Sequence, residues 1–183
     1  MARTRIDVDS LLAVALDILD ASGPSELTLS NVAAGLGVRP SALYTHVDGI
    51  DGLHDVVAVR ARSNLTKSVQ TSAIGVAGAD AVVAIASAYR TFAQRHPGQY
   101  RVTITNNSVR PGETSGIHDV FEAVFVAGGL SDSEAVAAAT SAHVALHGFV
   151  SMEASGAVGD DAHFVHLVEL LAGLCESESH GPT

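Results

Sequence analysis

The chain has 183 residues, of which 47% are hydrophobic and 16% charged, a balance that excludes disorder over most of its length and suffices for a core without disulfide or metal staples. Ten Lys and Arg against 20 Asp and Glu give a net charge of −10, so a basic coat binding nucleic acid over the whole surface is excluded and only a local basic site remains open. Cys175 is the one cysteine, which excludes an internal disulfide and fits a reducing compartment. Asp7, Asp9, Asp17 and Asp20 break up the apolar N-terminal stretch, against a signal peptide. No uninterrupted apolar run reaches the roughly 18 residues of a membrane span. The expectation is a cytoplasmic protein without a membrane partner.

In chain order, Val8, Leu11, Leu12, Ala15, Leu16 and Leu19 mark one face of an amphipathic helix over 8–21, which Ser22-Gly23-Pro24 stops. A short helix over 27–35 follows, with Thr28 as its N-cap and Leu29, Val32 and Ala33 apolar. Gly37 suits a turn conformation that other residues resist, and Pro40 suits the first turn of a second short helix over 40–46. A longer helix is predicted over 49–67. The small and polar stretch 68–78 is read as a linker, dividing the chain into domains 1–67 and 68–183. The first part holds six Lys and Arg against eight Asp and Glu, and the second four against 12, so the acid excess sits mostly in the second.

The second part also reads as helical. Helices are predicted over 79–95, 114–127, 134–155 and 161–175. Residues 99–105 are β-rich in composition but are expected to be helical by context. Ser131-x-x-Glu134 is a capping box, and the tail 176–183 is polar.

The informative stretch is LTLSNVAAGLGVRPSALYTHVDGIDGL, residues 27–53. Two short helices meeting at a glycine turn are the geometry that lays a second helix in the DNA major groove. Ala33 is small where the two would cross. Leu29, Val32, Leu36, Val38, Leu43 and Val47 would face inward. Arg39, Ser41, Tyr44, Thr45 and His46 are then left outside, and these are phosphate- and base-contacting groups. The pattern alone fits equally well two core helices joined by a turn.

The same stretch resembles the DNA-binding domain of the tetracycline-repressor (TetR/AcrR) family. Thr28, Val32, Ala33, Leu36, Gly37, Val38, Leu43, Tyr44 and His46 match its pattern in order, and Asp51-Gly-Leu53 resembles the start of the family's fourth helix. The segments FAQRHPGQYRV (92–102) and LHGFVSMEASG (146–156) resemble the subgroup whose C-terminal domain carries a Trp-His-Gly type segment, although this chain has no Trp. The resemblance implies an all-α fold: a three-helix helix-turn-helix domain on a larger helical domain for ligand binding and dimerisation. It implies a repressor that binds a palindromic operator in double-stranded DNA as a homodimer and is released by a small-molecule effector.

The DNA-binding residues so implied are Arg3, Arg5, Thr28, Arg39, Ser41, Tyr44, Thr45 and His46. Tyr89, Phe92, Tyr100, Phe121, Phe125 and His147 are the candidate ligand pocket. The family's Lys at the start of the fourth helix is replaced here by Ile50, which cannot neutralise a phosphate. The alternative is therefore a helical small-molecule-binding protein with weakened DNA binding. His143 and His147, at i and i+4, have the spacing of a metal pair with His118 as a third ligand, but pocket or core histidines explain them better. No metal, no cofactor and no catalytic residue are expected: no nucleophile elbow, phosphate loop or dinucleotide fingerprint is present.

Overall fold

A computed structural model describes residues 7–105 and 116–175, and among these all regular structure is helical. The elements are α1 (Val8–Ser22), α2 (Leu29–Leu36), α3 (Gly49–Ser72), α4 (Gly78–Arg95), α5 (Pro97–Thr105), α6 (Gly116–Ala127), α7 (Asp132–Ala154) and α8 (Asp161–Ala172). Three 3-10 turns join them, at Pro24–Glu26, Pro40–Thr45 and Gly173–Cys175. The expected start of α6 at Thr114 and the tail 176–183 lie outside the described residues.

The caps follow local chemistry. Asp7 accepts the Ser10 amide at 2.7 Å and opens α1. Asp160 accepts the Ala162 amide at 2.8 Å and opens α8. Glu134 reaches back to the Ser131 amide at 3.0 Å, as its spacing predicts. Two expectations are corrected. The helix at Pro40 is a 3-10 turn ending at Thr45. And α3 does not stop near Lys67 but runs to Ser72, because Leu53, Val57, Ala61, Leu65 and Val69 form an unbroken i, i+4 stripe of buried side chains.

The chain folds as two compact units, and they do not follow a linear division at residue 67. Of the described residues, 7–64 and 96–105 form the first unit, and 65–95 with 116–175 the second. In the first, Leu11, Leu19, Val32, Leu43, Leu53 and Val57 make the centre of the core. α5 joins it because Gly98 lies flat on α1: a Cβ there would stand 2.0 Å from the Leu19 carbonyl oxygen. The Asp20 carboxylate accepts the Gln99 amide at 3.0 Å and Gln99 Nε2 at 2.7 Å, and lies 2.8 Å from His96 Nδ1. It thereby complements the amino end of α5. The buried Gln99 then accepts from Asn64 Nδ2 at 2.9 Å, which ties α1, α3 and α5 by polar contacts.

In the second unit Ile85, Tyr89, Phe121, Phe125, Leu146 and Val150 are buried between α4, α6 and α7. Arg90 on α4 clamps two other helices. Its Nε donates to both Glu153 oxygens, at 3.0 and 3.1 Å, and its Nη2 donates to Asp161 at 2.7 Å. The guanidinium also lies over Phe164, 4.5 Å from the ring centre. α7 is long and apolar enough to cross a membrane by length and composition, a property that the absence of an uninterrupted apolar run had hidden.

Candidate nucleic-acid interface

The recognition element is built from its turn outward. Thr28 Oγ1 accepts the Asn31 amide at 3.1 Å and starts α2. Gly37 ends it at φ +67°, in the left-handed region, with its own amide on Ala34 O and the Val38 amide on Ala33 O. Ala33 is fully buried, which allows close approach at the turn. Arg39 is extended, and Pro40 sets the first turn of the second element.

From there the side chains divide by face. Leu43 and Val47 are buried. Arg39, Ser41, Tyr44 and Thr45 are exposed, and His46 is half-buried. Tyr44 is 61% exposed although it follows a fully buried leucine, so its ring belongs to the outer face. The Thr45 hydroxyl donates to Ala42 O at 2.9 Å. Thr28 keeps its hydroxyl proton for a donor role, since its oxygen only accepts in the cap. Arg3 and Arg5 lie outside the described residues.

The electrostatics around this face are sparse. Arg60, one of the few basic residues of the first part, pairs with Asp9 at 2.7 Å and is thereby turned to α1. Arg39 is the basic group that stays on the recognition element. Ile50, at the amino end of α3, is 39% exposed, and its neighbours Asp48 and Asp51 are exposed as well. Hydrogen bonds from Ser10 hold the Asp7 carboxyl below the usual carboxylate range.

The residues expected to line a ligand pocket divide between the units. Tyr89, Phe92, Phe121, Phe125 and His147 belong to the second, whereas Tyr100 stands on α5 in the first. Phe121 and Phe125 stack at 6.0 Å, and Tyr89 meets the His143 ring edge-on at 5.8 Å. Burial, with the neighbouring His147 and His118, pushes the His143 imidazole down to about 4, so it is neutral at pH 7. His118 does not face that pair alone: its ring contacts Thr140 Oγ1 at 2.9 Å, and its ligand atoms group with those of Asp119 and Glu122 within 4.8 Å. Sequence reasoning missed the Arg90 clamp and the Asp20–Gln99 network, whose partners are far apart in the chain and of ordinary surface type.

The family profile described as "Tetracyclin repressor-like, C-terminal domain" matches residues 82–174. The HTH-type transcriptional regulator Rv0681 of Mycobacterium tuberculosis is 33% identical over 98% of this chain and 86% of its own length. The chain therefore belongs to the tetracycline-repressor family of helix-turn-helix transcriptional regulators. Two solved structures share its fold. BioQ with its double-stranded DNA operator has a TM-score of 0.70 at 24% identity, over 92% of this chain and 99% of that one. A tetracycline-repressor variant of Acinetobacter baumannii in complex with minocycline has a TM-score of 0.68 at 22% identity, over 94% and 96%.

Proposed function

We propose that this chain is a ligand-responsive repressor that binds a palindromic operator as a homodimer in the cytoplasm and is released by a small molecule bound in its second unit. The observation that carries the reading is the outer face of the recognition element. Arg39, Ser41, Tyr44 and Thr45 are all exposed on a scaffold whose opposite face buries Val32, Leu43 and Val47. Arg39 and the hydroxyls supply contacts to phosphates and base edges. The related folds solved with an operator and with minocycline support the two binding roles.

Homodimerisation rests on α7 and α8. Val144 and Met152 on α7 and Val165 and Leu170 on α8 are each at least half exposed, and 28% of the apolar stretch of α7 is buried. Such a face is stable in water when a second copy covers it. Two copies place their recognition elements about one DNA turn apart, roughly 34–36 Å. The effector acts by favouring one spacing over another, in proportion to its differential affinity for the two states. The chemistry of the site is binding, with no catalytic role assigned.

Selection from random genomic DNA fragments tests this. The expected result is one palindromic sequence held at low-nanomolar protein and moderate salt, with Tyr44→Ala losing affinity while its helical signal and melting stay unchanged. Failure to enrich any sequence would favour the second reading, a small-molecule-binding protein with weakened DNA binding, which Ile50 between exposed Asp48 and Asp51 supports.

A further inference from the structure

The second unit carries a groove away from its buried aromatic centre. It measures about 400 Å³ and lies between the carboxyl end of α3, the turn into α4 and the outer face of α6. Ala73, Val76, Val120 and Val124 are among its apolar lining, and among the described residues no lining residue is basic. Among the described residues its polar side chains are the Gln70 amide and the Asp119 carboxylate. Such a volume, apolar with a few polar groups, suits a small organic molecule.

Charge decides the class of that molecule. The amino end of α4 at Gly78 also lines the groove, and a helix end carries roughly half a positive charge that favours anions. Asp80 in the first turn of α4 already complements that end. Asp119 brings a full negative charge, and Glu122 lies close enough for its carboxylate to reinforce it, since both group with His118 within 4.8 Å. The part of the chain from residue 68 onward holds 12 acids against four bases, so the wider field has the same sign. By contrast Tyr89, Phe121 and Phe125 fill their own space, each at most 1% exposed.

We infer that this groove binds a small hydrophobic cation, its ammonium paired with Asp119 and its hydrocarbon laid along Val76, Val120 and Val124. The inference rests on the effector-responsive reading for its consequence, but binding itself does not. Occupancy would bear on the last turns of α3, a helix that spans Gly49–Ser72.

The test is calorimetric titration of the full chain with octylammonium, octanoate and octanol below micelle formation, without DNA. Saturable one-to-one binding of octylammonium, at least tenfold tighter than octanoate, is expected. Asp119→Asn should weaken octylammonium about tenfold and erase its advantage over octanol. Ala123→Leu should fill the groove and block it, with melting curves confirming that both variants fold. Equal affinity for cation and anion, unchanged selectivity in Asp119→Asn, or saturation by Zn²⁺ in place of octylammonium would overturn the inference. Operator affinity with and without octylammonium is measured separately by DNA anisotropy. Tight groove binding with no change in DNA affinity would leave the groove standing and sink the effector reading instead.

Discussion

Removing Arg90 perturbs the second unit most informatively, because one side chain joins three helices. Arg90 and Glu153 expose only 16% and 17% of their side chains, whereas Asp161 exposes 85%. The forked contact to Glu153 therefore carries most of the effect, and the Asp161 arm adds at most about 1 kcal/mol. Arg90→Met keeps an unbranched apolar side chain but removes the guanidinium that lies over Phe149 and Phe164, and leaves the Glu153 carboxylate largely buried without its counter-charge. Breaking such a pair from one side costs about 3–5 kcal/mol. Arg90→Met/Glu153→Leu removes both charges and is expected to recover most of that loss. The assay is urea denaturation followed by helical ellipticity, run as a double-mutant cycle. The pH dependence has a fixed sign. Hydrogen bonds from Arg90 hold the Glu153 carboxyl below the usual glutamate range, so the pair's contribution is complete above that range and is lost as pH falls through the lowered value. A cost below about 1 kcal/mol at pH 7, or a double variant no better than Arg90→Met, would refute the assignment of this clamp as the link between α4 and α7.

Three further outcomes are expected. Ile50→Lys should tighten binding to specific and scrambled duplexes about equally and steepen the log-affinity against log-salt slope by close to one unit, read by salt titration; an unchanged slope would mean that residue 50 does not face DNA. Leu170→Glu, on the exposed face of α8, should convert a dimer to monomers in sedimentation and abolish operator binding, while a wild type that is monomeric at micromolar concentration yet binds a palindrome would refute the pairing of α7 and α8. His143, neutral when folded and ordinary when unfolded, should cost stability as pH falls from the usual histidine range toward its folded value of about 4; the loss reaches up to about 3 kcal/mol, and a stability–pH curve of His143→Gln should lose that slope.

Periodicity and caps made the helices legible. The stripe on α1, the Thr28 cap and the Gly37 turn are local signals, each set by a few adjacent residues. The outer face of the recognition element was legible for the same reason, since burial of Leu43 and Val47 leaves Tyr44 one direction to point. The end of α3 was misread because Ser, Thr and Gln near residue 70 look like a linker, while the buried Val69 that extends the stripe is a single residue. The placing of α5 was not legible at all. It depends on Gly98 meeting the Leu19 carbonyl and on Asp20 meeting Gln99, contacts between residues nearly 80 apart in the chain, for which spacing gives no sign. The division of the aromatic set, with Tyr100 in the first unit, follows from that same contact.

The return of α5 to the first unit also sets an order of events during synthesis. The first unit is complete only when residues 96–105 are available, and all of residues 65–95 must be made in between. At roughly 5–20 residues per second the interval between Asn64 and Thr105 is about two to eight seconds. Through that interval the flat patch of α1 around Leu19 and the Asp20 carboxylate wait without Gly98 and Gln99. A fragment cut at residue 67 would stay in that waiting state permanently. A piece of this chain that keeps the whole described first unit therefore has to include α5.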